Sequence, residues 1–198
     1  KLYVAPGNAG TEQIATNVSL NPMDFNAVDR YIRRNSINML IVGPEAPLVA
    51  GIVDYFEESN KHKDLVVIGP PKAGALLEGS KDFAKAFMAR HNIPTADYQT
   101  FKTGELKQAK AHLDKRNPPY VIKADGLAAG KGVIITEDRL EAESTLEDML
   151  ENSSLGEAGS KVVIEQFMDG IEVSSFVVTD GTAYKILPSA KDYKRAYD

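Results

Sequence analysis

Short apolar runs alternate with amphipathic stretches through the first seventy residues. Segments 2–5 (LYVA), 39–42 (MLIV) and 65–68 (LVVI) read as strands, because each is a brief apolar run closed by glycine and proline. Between the first two, Asn21-Pro22 is a helix start with Pro at the first helical position, and Phe25, Val28 and Ile32 follow at helical spacing. Pro47 opens a second helix with Leu48, Ile52 and Phe56 on one face. Strands alternating with helices predict an α/β fold with a parallel, doubly wound sheet. In such sheets ligands sit beyond the carboxyl ends of the strands, where this chain carries PGNAG (6–10), GPEAP (43–47) and GPP (69–71). Turn chemistry alone favours reading these as tight turns, and together they also form a candidate pocket rim.

The pattern changes after a helix capped by Ser80, with Phe83, Phe87 and Met88 inward and a stop near 91–94 (HNIP). A strand near 97–101, a helix over 103–115, strands at 120–122 and 133–135 and a helix over 140–150 follow. Residues 152–160 read as a surface loop, 162–165 and 172–179 as strands, and Asp180-Gly181 as a hairpin turn into 184–187. The second half is therefore α+β with an antiparallel sheet. The expected division is 1–94, 95–165 and 166–198.

Composition narrows the class. The 198 residues are 43% hydrophobic and 26% charged, ordinary for a globular protein. With 23 basic and 28 acidic residues the formal charge is −5, so no global field favours nucleic acid or an anionic membrane surface. Any anion has to be met by a local site. Cysteine is absent, which excludes disulfides and thiolate metal sites. No run approaches a membrane span and the N-terminus is no signal peptide, so a cytoplasmic location is expected. His62, His91 and His112 are scattered and receive no role.

The chemistry concentrates at 121–133 (VIKADGLAAGKGV). A P-loop needs G-x-x-x-x-G-K-[ST] running from a strand into a helix. Here the spacing is one residue short, Gly132 stands where the hydroxyl would be, and β-branched runs flank both sides, which gives strand, loop, strand. Alternation puts Ile122 and Lys123 on opposite faces, so Lys123 can leave the core. Taken locally it is a solvated strand lysine. The glycines that follow let backbone N–H groups approach a ligand closely, and two lysines with a glycine-rich lid suit a triphosphate. Further on, 163–168 (VIEQFM) leaves a strand into a connector, with Glu172 four residues beyond Met168. A connector can read the adenine edge through its backbone, and a carboxylate can accept both ribose hydroxyls. By itself this pattern is weak.

Together, Lys81, Lys123, the GLAAGKG loop and the 165–172 connector have the layout of an ATP-grasp fold. The segments PGNAGT (6–11), VGPEAPLVAGIVD (42–54), LEGSKDFAKAFMARHNIPTA (77–96), IKADGLAAGKGV (122–133) and IEQFMDGIEVS (164–174) resemble the phosphoribosylamine–glycine ligase (glycinamide ribonucleotide synthetase) family over essentially the whole chain.

The resemblance implies an ATP-dependent ligase of de novo purine biosynthesis that joins glycine to 5-phosphoribosylamine through a glycyl phosphate. It implies ATP contacts at Lys81, Lys123, Gly130, Lys131, Gly132, Glu165, Gln166, Phe167, Met168 and Glu172. Substrate contacts are implied at Gly43, Pro44, Glu45, Asp192, Lys194 and Arg195, although the last three read locally as a charged tail. No catalytic residue is assigned. ATP and Mg2+ are the expected cofactors, with metal ligands beyond residue 198, and a monomer without nucleic-acid or membrane partners is expected. The family begins one βα unit earlier and continues beyond Asp198, so both ends are expected to be cut and the 198-residue chain to be inactive by itself. Two alternatives stay open: another ATP-grasp carboxylate–amine ligase, and a non-catalytic nucleotide-binding module. A dinucleotide-dependent oxidoreductase is disfavoured, since no G-x-G-x-x-G joins a strand to a helix.

Overall fold

A computed structural model describes residues 1–58, 62–128, 132–152, 154 and 156–192. These form two compact units, the first ending at Gln166 and the second beginning at Phe167. The first unit opens with β1 (Tyr3–Val4) paired in parallel to β2 (Thr16–Asn17). The second strand is two polar residues long and carries no apolar period. Helix α1 (Phe25–Arg34) follows, and its cap is Asp24, whose carboxylate accepts the Ala27 N–H at 2.9 Å. The expected start at Asn21 is displaced because the Asn21 side chain instead closes a turn onto the Met23 N–H.

Strands β3 (Met39–Ile41) and β4 (Val66–Ile68) pair in parallel and are linked by α2 (Glu45–Ala50) and α3 (Ile52–Glu58). The single helix expected here is broken at Gly51, which takes the left-handed conformation with φ +94° and terminates α2. Val28, Ile32, Ile52, Val53 and Phe56 form the core between these elements. His62 is buried there against Asp29. The two parallel pairs do not bond to one another, and a cavity of about 1070 Å3 lies along β1 and β3.

Helix α4 (Lys72–Gly79) leads into α5 (Lys81–Arg90) through Ser80, which is extended and caps α5 by accepting the Phe83 N–H. Beyond it stand β5 (Tyr98–Lys102), α6 (Leu106–Leu113), β6 (Tyr120–Ala124), β7 (Val133–Thr136), α7 (Arg139–Leu150) and β8 (Lys161–Glu165). Their four strands make one antiparallel sheet in the order β5-β8-β6-β7.

Strand alternation gives this sheet two unlike faces. Phe101, Ile122, Ala124, Val162 and Ile164 point to α6 and α7, where Leu113, Leu146 and Leu150 complete a core with no exposure at any of those three leucines. The opposite face carries Tyr98 and Thr100, Val121 and Lys123, Val163 and Glu165, and α5 meets it through side-chain contacts. The expected α/β first half and antiparallel α+β second half are both present.

The second unit contains β9 (Val173–Ser174), β10 (Val177–Thr179), β11 (Tyr184–Ile186) and β12 (Ala190–Lys191). β10 and β11 form the expected hairpin at Asp180-Gly181, and β12 pairs antiparallel with β9. The strand expected over 172–179 is thus two short ones with different partners. Among the described residues no helix is long and apolar enough to cross a membrane.

Candidate functional site

The polar face of the four-stranded sheet borders a hollow of about 350 Å3. Helix α5 supplies Lys81, Ala84, Lys85 and Met88, whose spacing is that of one helix face. The sheet supplies Lys123 and Glu165, and the glycine loop and its exit supply Gly126, Leu127, Ala128, Gly132 and Val133. Leu77, Glu78 and Glu45 close the rim from α4 and α2. The size suits part of a nucleotide, and the wall is apolar with a few convergent charges.

Lys123 stands on this wall as alternation requires. Its strand partner across β6 and β8 is Val163, and Glu165 lies diagonally opposite on the same face. Lys123 Nζ meets Glu165 Oε2 at 2.8 Å. The other oxygen, Oε1, is 3.5 Å from Lys85 Nζ. Glu165 is 7% exposed and Lys85 6%, so two cations share one buried carboxylate. The Lys85–Glu165–Lys123 group by itself carries one uncompensated positive charge, which an anionic ligand would complete, while Glu45 and Glu78 stand at the rim.

Lys81 sits at the first position of α5, where a cation opposes the helix dipole. Its ammonium is held by the carbonyl of Ala124 at 2.8 Å, with Asp125 O and Gly126 O at 3.5 Å. Burial pushes its pKa below the ordinary lysine value, the charge of Asp125 offsets part of that, and Lys123 adds to the lowering. Lys81 thus lines the hollow while bonding the root of the loop.

Asp125 answers from the other side. Its carboxylate accepts the Ser80 hydroxyl and, at 2.7 Å, the Asp82 N–H, so the start of α5 is docked onto the residue that begins the loop. At the loop's far end a Cβ on Gly132 would lie 2.8 Å from Ala128 Cβ and 3.2 Å from Ala124 Cβ. Any side chain there would force the backbone beside Ala128 and Ala124 to shift.

Gly43 and Glu45 border a separate small hollow against Gly74 and Leu77, and Glu45 also reaches the rim of the lysine-lined one. Gly43 and Pro44 also border the large cavity along β1 and β3. In the second unit Glu172 and Asp192 are brought together: the Asp192 N–H donates to Glu172 O at 3.1 Å, and the Asp192 carboxylate accepts the Ser174 hydroxyl. Gln166 is exposed at the end of the first unit, with its N–H donating to Asp97 O. Phe167 is half-buried and Met168 exposed. Gly130, Lys131, Lys194 and Arg195 lie outside the described residues. Among the described residues no group of three or more His, Asp or Glu side chains could hold a metal ion.

Sequence reasoning missed Lys85 and the Glu165 side chain. The signal available was spacing, since Lys81 and Lys85 are four apart on one helix.

The chain also matches known proteins. Residues 1–78 match the phosphoribosylglycinamide synthetase N domain and residues 79–198 the ATP-grasp (A) domain of the same synthetase. The phosphoribosylamine–glycine ligase of Haemophilus influenzae is 49% identical over 98% of this chain, which covers 44% of that protein. The crystal structure of the Thermotoga maritima phosphoribosylamine–glycine ligase superposes with a TM-score of 0.75 at 31% identity, over 98% of this chain and 45% of that one. N5-carboxyaminoimidazole ribonucleotide synthetase from Thermus thermophilus shares the fold, with a TM-score of 0.68 at 18% identity over 98% of this chain and 48% of that one. The chain therefore spans less than half the length of the relatives it matches.

Proposed function

The chain belongs to the phosphoribosylglycinamide synthetase family, and from that premise we propose that the protein it comes from is an ATP-dependent ligase joining glycine to 5-phosphoribosylamine. The observation that supports this most is the placement of Lys123 on the wall of the hollow beside the glycine loop, across from Lys81 and Lys85 of α5.

The reaction has two steps. A carboxylate oxygen of glycine attacks the γ-phosphorus of ATP, the bond from that phosphorus to the bridging oxygen breaks, and ADP leaves. The amine of phosphoribosylamine then attacks the glycyl carbonyl carbon, the carbon–oxygen bond to phosphate breaks, and the nitrogen loses a proton. Both steps move negative charge between phosphate oxygens, so fixed cations and backbone dipoles are what the protein has to supply.

Lys123 meets the phosphates with the donors it does not give to Glu165. Lys81 holds the root of the loop from within the hollow, and Gly130, Lys131 and Gly132 belong to the lid over the phosphates. The apolar wall of Ala84, Met88 and Val133 takes the base. The backbone from Glu165 through Gln166, Phe167 and Met168 reads the adenine edge, and Glu172 takes the ribose hydroxyls; these assignments rest on the sequence motif. Gly43, Pro44 and Glu45, with Asp192, Lys194 and Arg195, remain the assigned substrate contacts on the same ground. Magnesium would neutralise phosphate charge in this chemistry, held by ligands outside residues 1–198. The division at 1–94, 95–165 and 166–198, the cytoplasmic location and the monomeric state belong to the same proposal.

The test is ADP release by the intact protein with each substrate omitted in turn. Release that requires both glycine and phosphoribosylamine supports the assignment, release with a different carboxylate–amine pair points to another ligase of the same fold, and ATP binding without any release points to a non-catalytic module.

A further inference from the structure

Lys85 is buried at the floor of the hollow, without a part in either step of the reaction. A lysine ammonium has three donors. Here they are directed to Thr95 Oγ1 at 2.8 Å, Ala96 O at 3.1 Å and Glu165 Oε1 at 3.5 Å, with the Tyr98 ring 5.4 Å from the nitrogen. Two donors are hydrogen-bonded to the protein and the ammonium is ion-paired to Glu165, so Lys85 is held in place by its protein partners. Its link to Lys123 runs through the shared carboxylate of Glu165.

We propose that Lys85 is a positioning residue for phosphate binding: by holding one oxygen of Glu165 it prevents that carboxylate from neutralising Lys123 one to one. The inference rests on the nucleotide reading of the hollow. Glu165 Oε2 serves Lys123 at 2.8 Å while Oε1 is drawn toward Lys85. Among the described residues Lys123, at 28% side-chain exposure, bonds only Glu165, which leaves two donors and an incompletely compensated charge. Burial pushes the Lys85 pKa below the ordinary value, Glu165 opposes that, and the charge of Lys123 adds to it, as expected for two cations competing for one anion. Without Lys85 the carboxylate, already 2.8 Å from Lys123, has no second cation to share and neutralises Lys123 fully, and the phosphates have to compete with it.

Only ligands with phosphates should sense this, which separates positioning from a structural role. The intact protein and its K85M variant are titrated with ATP and with adenosine. We expect K85M to lower the ATP-to-adenosine affinity ratio by about tenfold, the worth of one charge-assisted hydrogen bond. The K85M/E165Q double variant, which removes the competing carboxylate, should recover that ratio. Equal losses for ATP and adenosine in K85M overturn the proposal, as does a double variant whose ratio stays as low as that of K85M. If K85M does not fold, the double variant leaves no buried charge unpaired and carries the test alone: a ratio at or above the wild-type one is expected, and one about tenfold lower overturns the proposal. A wild-type protein that binds neither ligand overturns the nucleotide reading itself, and this inference with it.

Discussion

The Lys81 ammonium donates to the carbonyl oxygen of Ala124 at 2.8 Å, so the first residue of α5 holds the last residue of the strand that carries Lys123. Helix and strand are thereby joined at the point where the glycine loop departs. Lys81→Met removes a charge-assisted bond to a carbonyl that is buried at the strand end. We expect a loss of about 1–3 kcal/mol in urea denaturation. Unchanged stability would show that the bond merely occupies a lysine already held elsewhere.

Asp125→Asn should act at the same joint from the opposite side. The carboxylate accepts the Ser80 hydroxyl and the Asp82 N–H, and Ser80 in turn caps α5. Ser80→Ala and Asp125→Asn are each expected to cost about 1–2 kcal/mol. Because the two residues bond to each other, the double variant should lose less than the sum of the two. Strict additivity in the denaturation cycle would contradict the linked cap.

Asp82 gives the fold a pH dependence with a definite sign. Burial alone would raise its pKa, but the Thr100 hydroxyl at 2.8 Å and the Lys161 ammonium at 3.1 Å outweigh that and hold it below the ordinary carboxylate value. A carboxyl with a lowered folded pKa stabilises the fold fully above its unfolded value, about pH 4, and that contribution is lost as pH falls through the folded value. Acid titration of the melting temperature should therefore fall less steeply below about pH 4 in Asp82→Asn than in wild type.

Gly132→Val tests whether the loop's return is sterically fixed. The added Cβ would lie 2.8 Å from Ala128 Cβ and 3.2 Å from Ala124 Cβ, and both neighbours are short side chains that cannot swing aside. The expected cost is about 1–3 kcal/mol, with weaker ATP binding because the loop is displaced. A variant with wild-type stability and affinity would show that the loop re-routes freely.

How much of this was legible in the sequence depends on the range of the interaction. Local signals read well: the Ser80 cap, the strand–loop–strand at 120–136, and the exit of Lys123 from the core all follow from residues within a few positions. Asp24 and Asn21 are equally competent caps, and only the side-chain bond from Asn21 to the Met23 N–H decides between them. Gly51 looks like a tolerated helix glycine until its φ of +94° is known. The Lys123–Glu165 pair spans 42 residues and exists because β6 and β8 are neighbours in a sheet whose order is not the chain order. The spacing of Lys81 and Lys85 puts them on one face of α5, but nothing near them in sequence says that this face meets the polar side of that sheet. The site was visible as motifs, and its charge balance was not.

Calorimetric titration of ATP into the wild-type protein and its Lys123→Ala variant tests the phosphate contact most directly. Lys85 keeps Glu165 paired in that variant, so the fold should survive. The prediction is ATP binding by wild type and a loss of about tenfold or more in Lys123→Ala, consistent with a lost charge-assisted contact to phosphate. Equal affinity in the two proteins would contradict the central claim that this strand lysine is the phosphate contact of the site.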